Sequence, residues 1–290
     1  MAQAREIKKR IKAVGTIQRI TKTMQMIATA KFTAAVQRAK ATKPYTQTIR
    51  RLVGEVSRAA GDEKHPLLSS PASPVKRELL LVITSDRGLC GAYNANVLRK
   101  AIAHIRSLRD EKVETIVETS GKKAVGFFRF QKVDLAQRHT IGDKPSYEDV
   151  ERIAARFNES FSKGEFDAVR VAFMQFESNA RQIPRLVQLL PIEPDAAAVD
   201  AASAGGSFEF SPSGPELLAD LLPLAVKSQL FQAFNDAVVS EQIMRMVAMK
   251  AATENAKDLR RTLNRKYNRA RQAKITTELT EIISGSAALE

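Results

Sequence analysis

The chain has no tryptophan, one cysteine and three histidines in 290 residues. A single thiol, Cys90, excludes an internal disulfide and a cysteine-based zinc site, and it fits a reducing compartment. His65, His104 and His139 are scattered without ligand-like spacing, so no metal centre is expected. No apolar run approaches the roughly 18 to 20 residues that span a bilayer. The start, "MAQAREIKKRIK", lacks the apolar core and small-residue cleavage site of a secretory signal.

Acids are scarce at one end. Residues 1–60 carry 14 Lys and Arg against two acids, Glu6 and Glu55. Of the formal +14, residues 1–60 hold a net +12 and residues 241–290 a net +4, which leaves −2 for the middle. A basic end suits either nucleic acid or an acidic protein partner. Against nucleic acid stand the near-absence of aromatics in 1–60, Phe32 and Tyr45 only, and the lack of a recognition motif.

Proline and glycine are also rare there: residues 2–58 contain Pro44, Gly15 and Gly54 among good helix formers. Ile7, Ile11, Val14, Ile17 or Thr21, Met24, Ile27, Ala34 and Ala35 recur at helical steps, predicting one long helix with a buried stripe. Such a helix needs a partner along its length. Residues 61–75 and 193–215 read as linkers. Between them, "RELLLVIT", "EKVETIVETS", "FDAVRVAFMQFES" and "PRLVQLLPI" read as strands, with helices near 94–110 and 146–163. This alternation argues a small α/β sheet with parallel strands. A helical pattern returns from Glu216 to about Leu289, with Thr253 and Lys274 at seam positions. The expected fold is therefore a long antiparallel coiled coil of N- and C-terminal helices, 1–60 and 210–290, with an inserted Rossmann-like α/β domain, 75–195.

The stretch "TSDRGLCGAYN", Thr84 to Asn94, has the look of an active site. Yet a phosphate cradle needs G-x-x-x-x-G-K-[ST] or G-x-G-x-x-G, and only Gly88 and Gly91 stand here. A cysteine nucleophile needs a base, and no histidine lies in the loop. Gly88 and Gly91 read as turn residues, Arg87 beside Asp86 as a loop charge, and Cys90 as a packed thiol. Two helical stretches add to the picture. "RITKTMQMIATAKF" joins a basic stripe to Met24 and Met26, and "IISGSAAL" is an uncharged helix tip suited to an apolar sleeve.

"IKKRIKAVGTIQRITKTMQMIATAK", "ITSDRGLCGAYN" and "SEQIMRMVAMKAATENA…YNRARQAKITTELTEIISGSAAL", in that order and at the right ends, resemble the gamma subunit, or central stalk, of the rotary F-type ATP synthase. The resemblance covers nearly the whole chain. It implies a rotor inside a ring of three alpha and three beta subunits, with the α/β domain meeting the epsilon subunit and the membrane ring of c subunits. It implies no catalytic, cofactor or metal site on this chain, no nucleic-acid partner, and a peripheral place on the cytoplasmic face of a bacterial inner membrane. It sets Arg87, in the loop of Asp86, Gly88, Cys90 and Gly91, against an acidic lever of a beta subunit, and Met24 where the shaft meets that lever. Arg271 and Gln272, with Arg245 nearby, match polar contacts between upper shaft and beta subunit. Gly15 departs from the family, which often has a polar residue there. Cys90 alone cannot form the regulatory dithiol of chloroplast relatives.

Overall fold

A computed structural model describes residues 2–59, 65–68, 75–193 and 213–287. Helices α1 (Ala2–Ala59) and α5 (Gly214–Ala287) each contribute to two compact units, Ala30–Met244 and Met1–Thr29 with Arg245–Glu290. Both expected linkers lie mostly outside the described residues. The exception, His65–Leu68, is a turn that buries Leu67 in the core and accepts the Ile192 amide at 2.8 Å.

The larger unit holds β1 (Arg77–Ile83), α2 (Tyr93–Asp110), β2 (Glu114–Ser120), α3 (Lys122–Phe130), β3 (Gln137–His139), α4 (Tyr147–Ser162), β4 (Ala168–Phe176) and β5 (Gln182–Leu190). The sheet order is β3-β2-β1-β4-β5. The strands from β3 to β4 pair in parallel, as alternating strands and helices predict, whereas β5 returns antiparallel to β4. Residues 177–181 are too few for the helical crossover a parallel return needs, so the sheet is mixed. Pro184 sits on β5, an edge strand, where its missing N–H breaks no inner ladder.

β1 is buried on both faces, which explains its unbroken apolar run. Leu79, Leu81 and Ile83 face a core shared with α4 and α5, and Leu80 and Val82 a second core shared with α2 and α3. Two carboxylates are buried within this sheet. Glu78 takes His104 Nε2 at 2.5 Å and Arg170 at 2.8 Å, and Arg170 donates on to Gln188. Glu118 takes His139 Nε2 at 2.8 Å and Arg156 at 2.5 Å. Burial pushes the Glu118 carboxyl up, but hydrogen bonds and charge from His139 and Arg156 outweigh it and hold it below the usual range.

In this unit α5 is buried on almost every side, since it packs on the sheet and on α1 at once. Along α1 the inward residues Ala35, Ala39, half-buried Thr42, Thr46, Ile49, Val53 and Val56 follow steps of three and four. Thr42 donates to Gln232 Oε1 at 2.9 Å, and Thr46 to the Ser228 carbonyl at 3.5 Å. The smaller unit is an antiparallel helix pair whose seam holds Ile7, Ile11, Val14, Gln18, Thr21 and Ala28 of α1. Opposite stand Met249, Thr253, Ala256 and Leu263 of α5, and Thr253 donates to Thr21 across the seam at 2.8 Å.

This seam corrects one expectation. Thr21 is buried as proposed, but Ile17 and Ile27 are each 52% exposed and join Ile20 and Met24 on an outward stripe. Ala34 likewise faces out, and Ala35 takes the inward position. Thr253 lies in the seam as expected. Lys274 is half-buried and pairs with Glu278 at 3.1 Å instead.

Two variants test this packing. Burial raises the Asp236 carboxyl from 3.8 to about 6, against weaker lowering by the Gln232 hydrogen bond and Lys43. The native state therefore holds a proton more tightly than the unfolded chain, so this residue favours folding below pH 4 and opposes it above pH 6. Asp236→Asn is expected to stabilise the protein at pH 7.5 by up to about 3 kcal/mol, with the gain vanishing near pH 4, in denaturant titrations at the two pH values. Gly121 has φ +99°, and a Cβ there would lie 2.1 Å from the Thr84 carbonyl oxygen. Gly121→Ala should destabilise the α/β unit by more than about 3 kcal/mol, read as lost soluble yield or rapid proteolysis.

Candidate functional site

The glycine-containing loop leaves β1 at Thr84 and enters α2 at Tyr93. Its shape is fixed by a small polar network. Asn94 Oδ1 accepts the Ser85 amide at 3.0 Å, and Ser85 Oγ donates to the Arg87 carbonyl at 2.7 Å. Asn94 Nδ2 donates to Cys90 Sγ at 3.2 Å, and the thiol is 1% exposed. Asp86 Oδ1 accepts the Lys122 amide at 3.0 Å, which satisfies a free donor at the start of α3. Thr84 Oγ1 accepts the Ala124 amide at 2.9 Å. Gly91 has the left-handed backbone expected of a turn glycine, with φ 58°. Gly88 is not among the positive-φ residues; that conformation falls to Leu89, at φ 64°.

These contacts decide between the readings of the loop. Cys90 is a packed thiol held by Asn94, and all three histidines are engaged elsewhere. His104 is on Glu78, His139 is on Glu118, and His65 accepts the Leu67 amide. In open α/β sheets ligands sit beyond the strand ends where the strand order reverses, here between β1 and β4. Phe234, Ala237, Val238 and Glu241 of α5 instead close over the ends of β1 and β2, at Ile83, Ser120 and Gly121, and leave a cavity of about 20 Å³ there. What the loop presents outward is Arg87 and Leu89, both exposed.

The remaining candidates lie on the helix pair of the smaller unit. Met24 is half-buried on the stripe of Ile17, Ile20 and Ile27. Arg245 is buried at 8% exposure, while Arg271 and Gln272 are exposed neighbours. Arg271 lies 26 positions beyond Arg245, roughly 39 Å along one helix. The structure brings these residues to no common centre. They lie at separate heights along the helix pair, Arg245 buried and Arg271 and Gln272 exposed.

Two features of that helix pair escaped the sequence reading. A groove of about 910 Å³ opens between α1 and α5, lined by Lys12, Arg19, Lys22, Lys257 and Arg260 against the single carboxylate of Glu254. Gly15 lies in its wall, and a Cβ there would meet nothing within 4 Å. So Gly15 leaves α1 helical and widens the groove. Secondly, the paired numbers across the seam sum to 274 (21 with 253). Residue 272 of α5 thus lies opposite Ala2, where α1 starts among the described residues. Beyond it Ile275, Leu279, Ile282 and Ile283 are 55 to 69% exposed. The expected uncharged tip overlaps this segment, though its side chains from Gly285 onward lie outside the described residues. No described helix is long and apolar enough to cross a membrane.

Comparison with known proteins places this geometry. A family model described as ATP synthase matches residues 3–289. The chain is 40% identical to the ATP synthase gamma chain of Rhodopirellula baltica and 38% identical to that of Leptospira biflexa, over the whole of both chains in each case. The gamma chain of Haemophilus influenzae is also 38% identical over its full length. Among solved structures, the fold is similar to a rotor chain of the Euglena gracilis mitochondrial ATP synthase, with TM-score 0.68 and 19% identity, covering 94% of this chain and 99% of that one. A second rotational state of the same enzyme matches with TM-score 0.66 and 20% identity, covering 99% of this chain and 95% of that one. With a helix pair at its termini, a mixed sheet between them and full-length kinship to such relatives, the chain belongs to the ATP synthase gamma chain family.

Proposed function

We propose that this chain is the rotating central stalk of an ATP synthase, coupling ion flow through the membrane to ATP synthesis or hydrolysis without catalytic residues of its own. The observation that carries the reading is the end-to-end match to gamma chains. The helix pair supports it, because most of its isoleucines and most of its cations point outward. Residues 1–60 and 210–290 serve as the shaft within three alpha and three beta subunits, and residues 75–195 as the foot on the epsilon subunit and the c-ring. The protein works at the cytoplasmic face of a bacterial inner membrane, held there through the complex.

The mechanism is differential binding. A shaft with an uneven surface contacts each beta subunit differently. A contact that is stronger in one state of a nucleotide site shifts that site toward the state by its difference in free energy. Rotation moves the contact to the next subunit. Met24 with Ile17, Ile20 and Ile27 supplies apolar contact, and a fully buried isoleucine is worth about 1.5 to 3 kcal/mol. Arg87 meets an acidic lever on a beta subunit. Arg271 and Gln272, with Arg245 below them, engage a beta subunit higher on the shaft. Exposed charge pairs contribute only about 0.2 to 1 kcal/mol each, so coupling is spread over many residues.

Co-purification is the direct test. A tagged chain should bring down two nucleotide-binding subunits in threefold excess, and the immobilised complex should turn this chain as it hydrolyses ATP. Recovery of the chain alone, from cells that assemble an ATP synthase, would refute the reading. Within the complex, Arg87→Ala should lower ATP-driven ion pumping by about two- to fivefold while leaving assembly intact, as expected for the loss of about 1 kcal/mol. Unchanged pumping under load would remove Arg87 from the contact.

A further inference from the structure

The groove between α1 and α5 in the smaller unit gathers charge of one sign. Lys12, Arg19 and Lys22 come from α1 and Lys257 and Arg260 from α5, against Glu254 alone. Glu254 reaches only Lys257, at a long 3.8 Å, and Lys22 donates to the neutral Gln25 at 3.5 Å. The side chains of Lys12, Arg19 and Arg260 have no hydrogen-bond or ion-pair partner among the described residues. Five cations that face one recess repel one another, and a bound anion removes that cost.

The charges are also ordered. With position 21 of α1 level with 253 of α5, Arg260 stands level with position 14 and Lys257 with position 17. Along the groove the order is therefore Lys12, Arg260, Lys257, Arg19 and Lys22, alternating between the helices in steps of two or three residues. Each step is about 3 to 4.5 Å, and the whole row about 15 Å. A condensed phosphate chain sets successive negative charges at a repeat near the lower end of that range. Gly15 lines the same stretch and puts no side chain between Arg260 and Lys257. Ile11 is the one large apolar side chain of the lining, too little for an amphipathic helix, which docks by several apolar anchors. No aromatic ring lines the groove, so a nucleobase has nothing to stack on.

We propose that this groove binds a linear chain of three or more phosphates, free or as the tail of a nucleotide. Lys12, Arg260, Lys257 and Arg19 hold successive phosphates, and Lys22 takes the end of a longer chain. The two arginines offer planar forks to phosphate oxygens, and the lysines act as point charges. Glu254 repels the chain and limits its affinity, and Lys257 turns from Glu254 to phosphate on binding. The site goes beyond the rotor reading and stands without it, since every group it uses belongs to this chain.

The test is calorimetric titration of the purified full-length chain with tripolyphosphate and, separately, with ATP, in magnesium-free buffer. One chain should bind one tripolyphosphate, about tenfold or more tighter than it binds citrate, a compact anion of high charge. ATP should bind within about fivefold of tripolyphosphate, because the phosphate chain alone is recognised. Tripolyphosphate binding without ATP binding would support the site and restrict its source to free polyphosphate. Lys12→Ala with Arg260→Ala should weaken tripolyphosphate binding by about fivefold or more, and Glu254→Gln should tighten it by about two- to fivefold. Lys8→Ala with Lys9→Ala removes the same charge outside the groove and should change it by less than about twofold. All these positions are exposed, so the fold tolerates the changes, and unaltered far-ultraviolet helicity checks it. No tripolyphosphate binding, citrate binding as tight, ATP binding alone, equal losses in the groove and control variants, or indifference to Glu254→Gln would each overturn the proposal. None of these results bears on the rotor reading, which co-purification tests.

Discussion

Everything else in the structure depends on how closely α1 and α5 approach. In the smaller unit Thr21 meets Thr253, with Gln18 and Ala256 beside them, so the seam is built from small and polar side chains. A threonine pair gains little from burial but requires a partner once buried, so the hydrogen bond between them fixes register more than it adds stability. In the larger unit the same device recurs where Thr42 meets Gln232 and Thr46 meets the Ser228 carbonyl. A register held by discrete hydrogen bonds resists the sliding that a uniform leucine seam permits. For a part that transmits twist, resistance to slip matters more than the last increment of stability.

That choice determines what faces outward. α1 carries two stripes at helical spacing, and the more hydrophobic of them, with Ile17, Ile20 and Ile27, is the one left exposed. Reading by hydrophobicity alone selects the wrong stripe, because it assumes that the strongest apolar face belongs to the chain's own core. The assumption fails where the chain is an insert in something larger. The same holds for Ile275, Leu279 and Ile282, which lie on α5 past the reach of α1.

The rest was unequally legible. β1, β2, β4, β5 and helices α2 and α4 stood out because each repeats its pattern over seven residues or more. β3 has three residues and α3 nine, too short for a period to show, and "GKKAVGFFRF" mixes charge with aromatics in no clear order. The antiparallel return of β5 was hidden because a strand's direction depends on the length of its connection and not on its own residues. The loop was legible in outline, since Cys90 did prove to be packed. Of the two turn glycines, Gly91 takes a positive φ, whereas the other positive φ of the loop falls on Leu89 and not on Gly88.

In the α/β unit the chain's own helix covers the strand ends. α5 crosses the strand ends with Phe234, Ala237 and Val238, and Ser240 donates to the Met174 carbonyl at 3.1 Å. Those strand ends thereby anchor the helix. Buried Glu78 and Glu118, each braced by a histidine and an arginine, stiffen the sheet on either face. Such pairs add little net stability, but removing one partner leaves a buried charge and is costly. Rigid anchoring of α5 and outward-facing isoleucines are thus two consequences of one allocation: the chain spends its own packing on holding α5 in place and leaves its largest apolar stripe for partners.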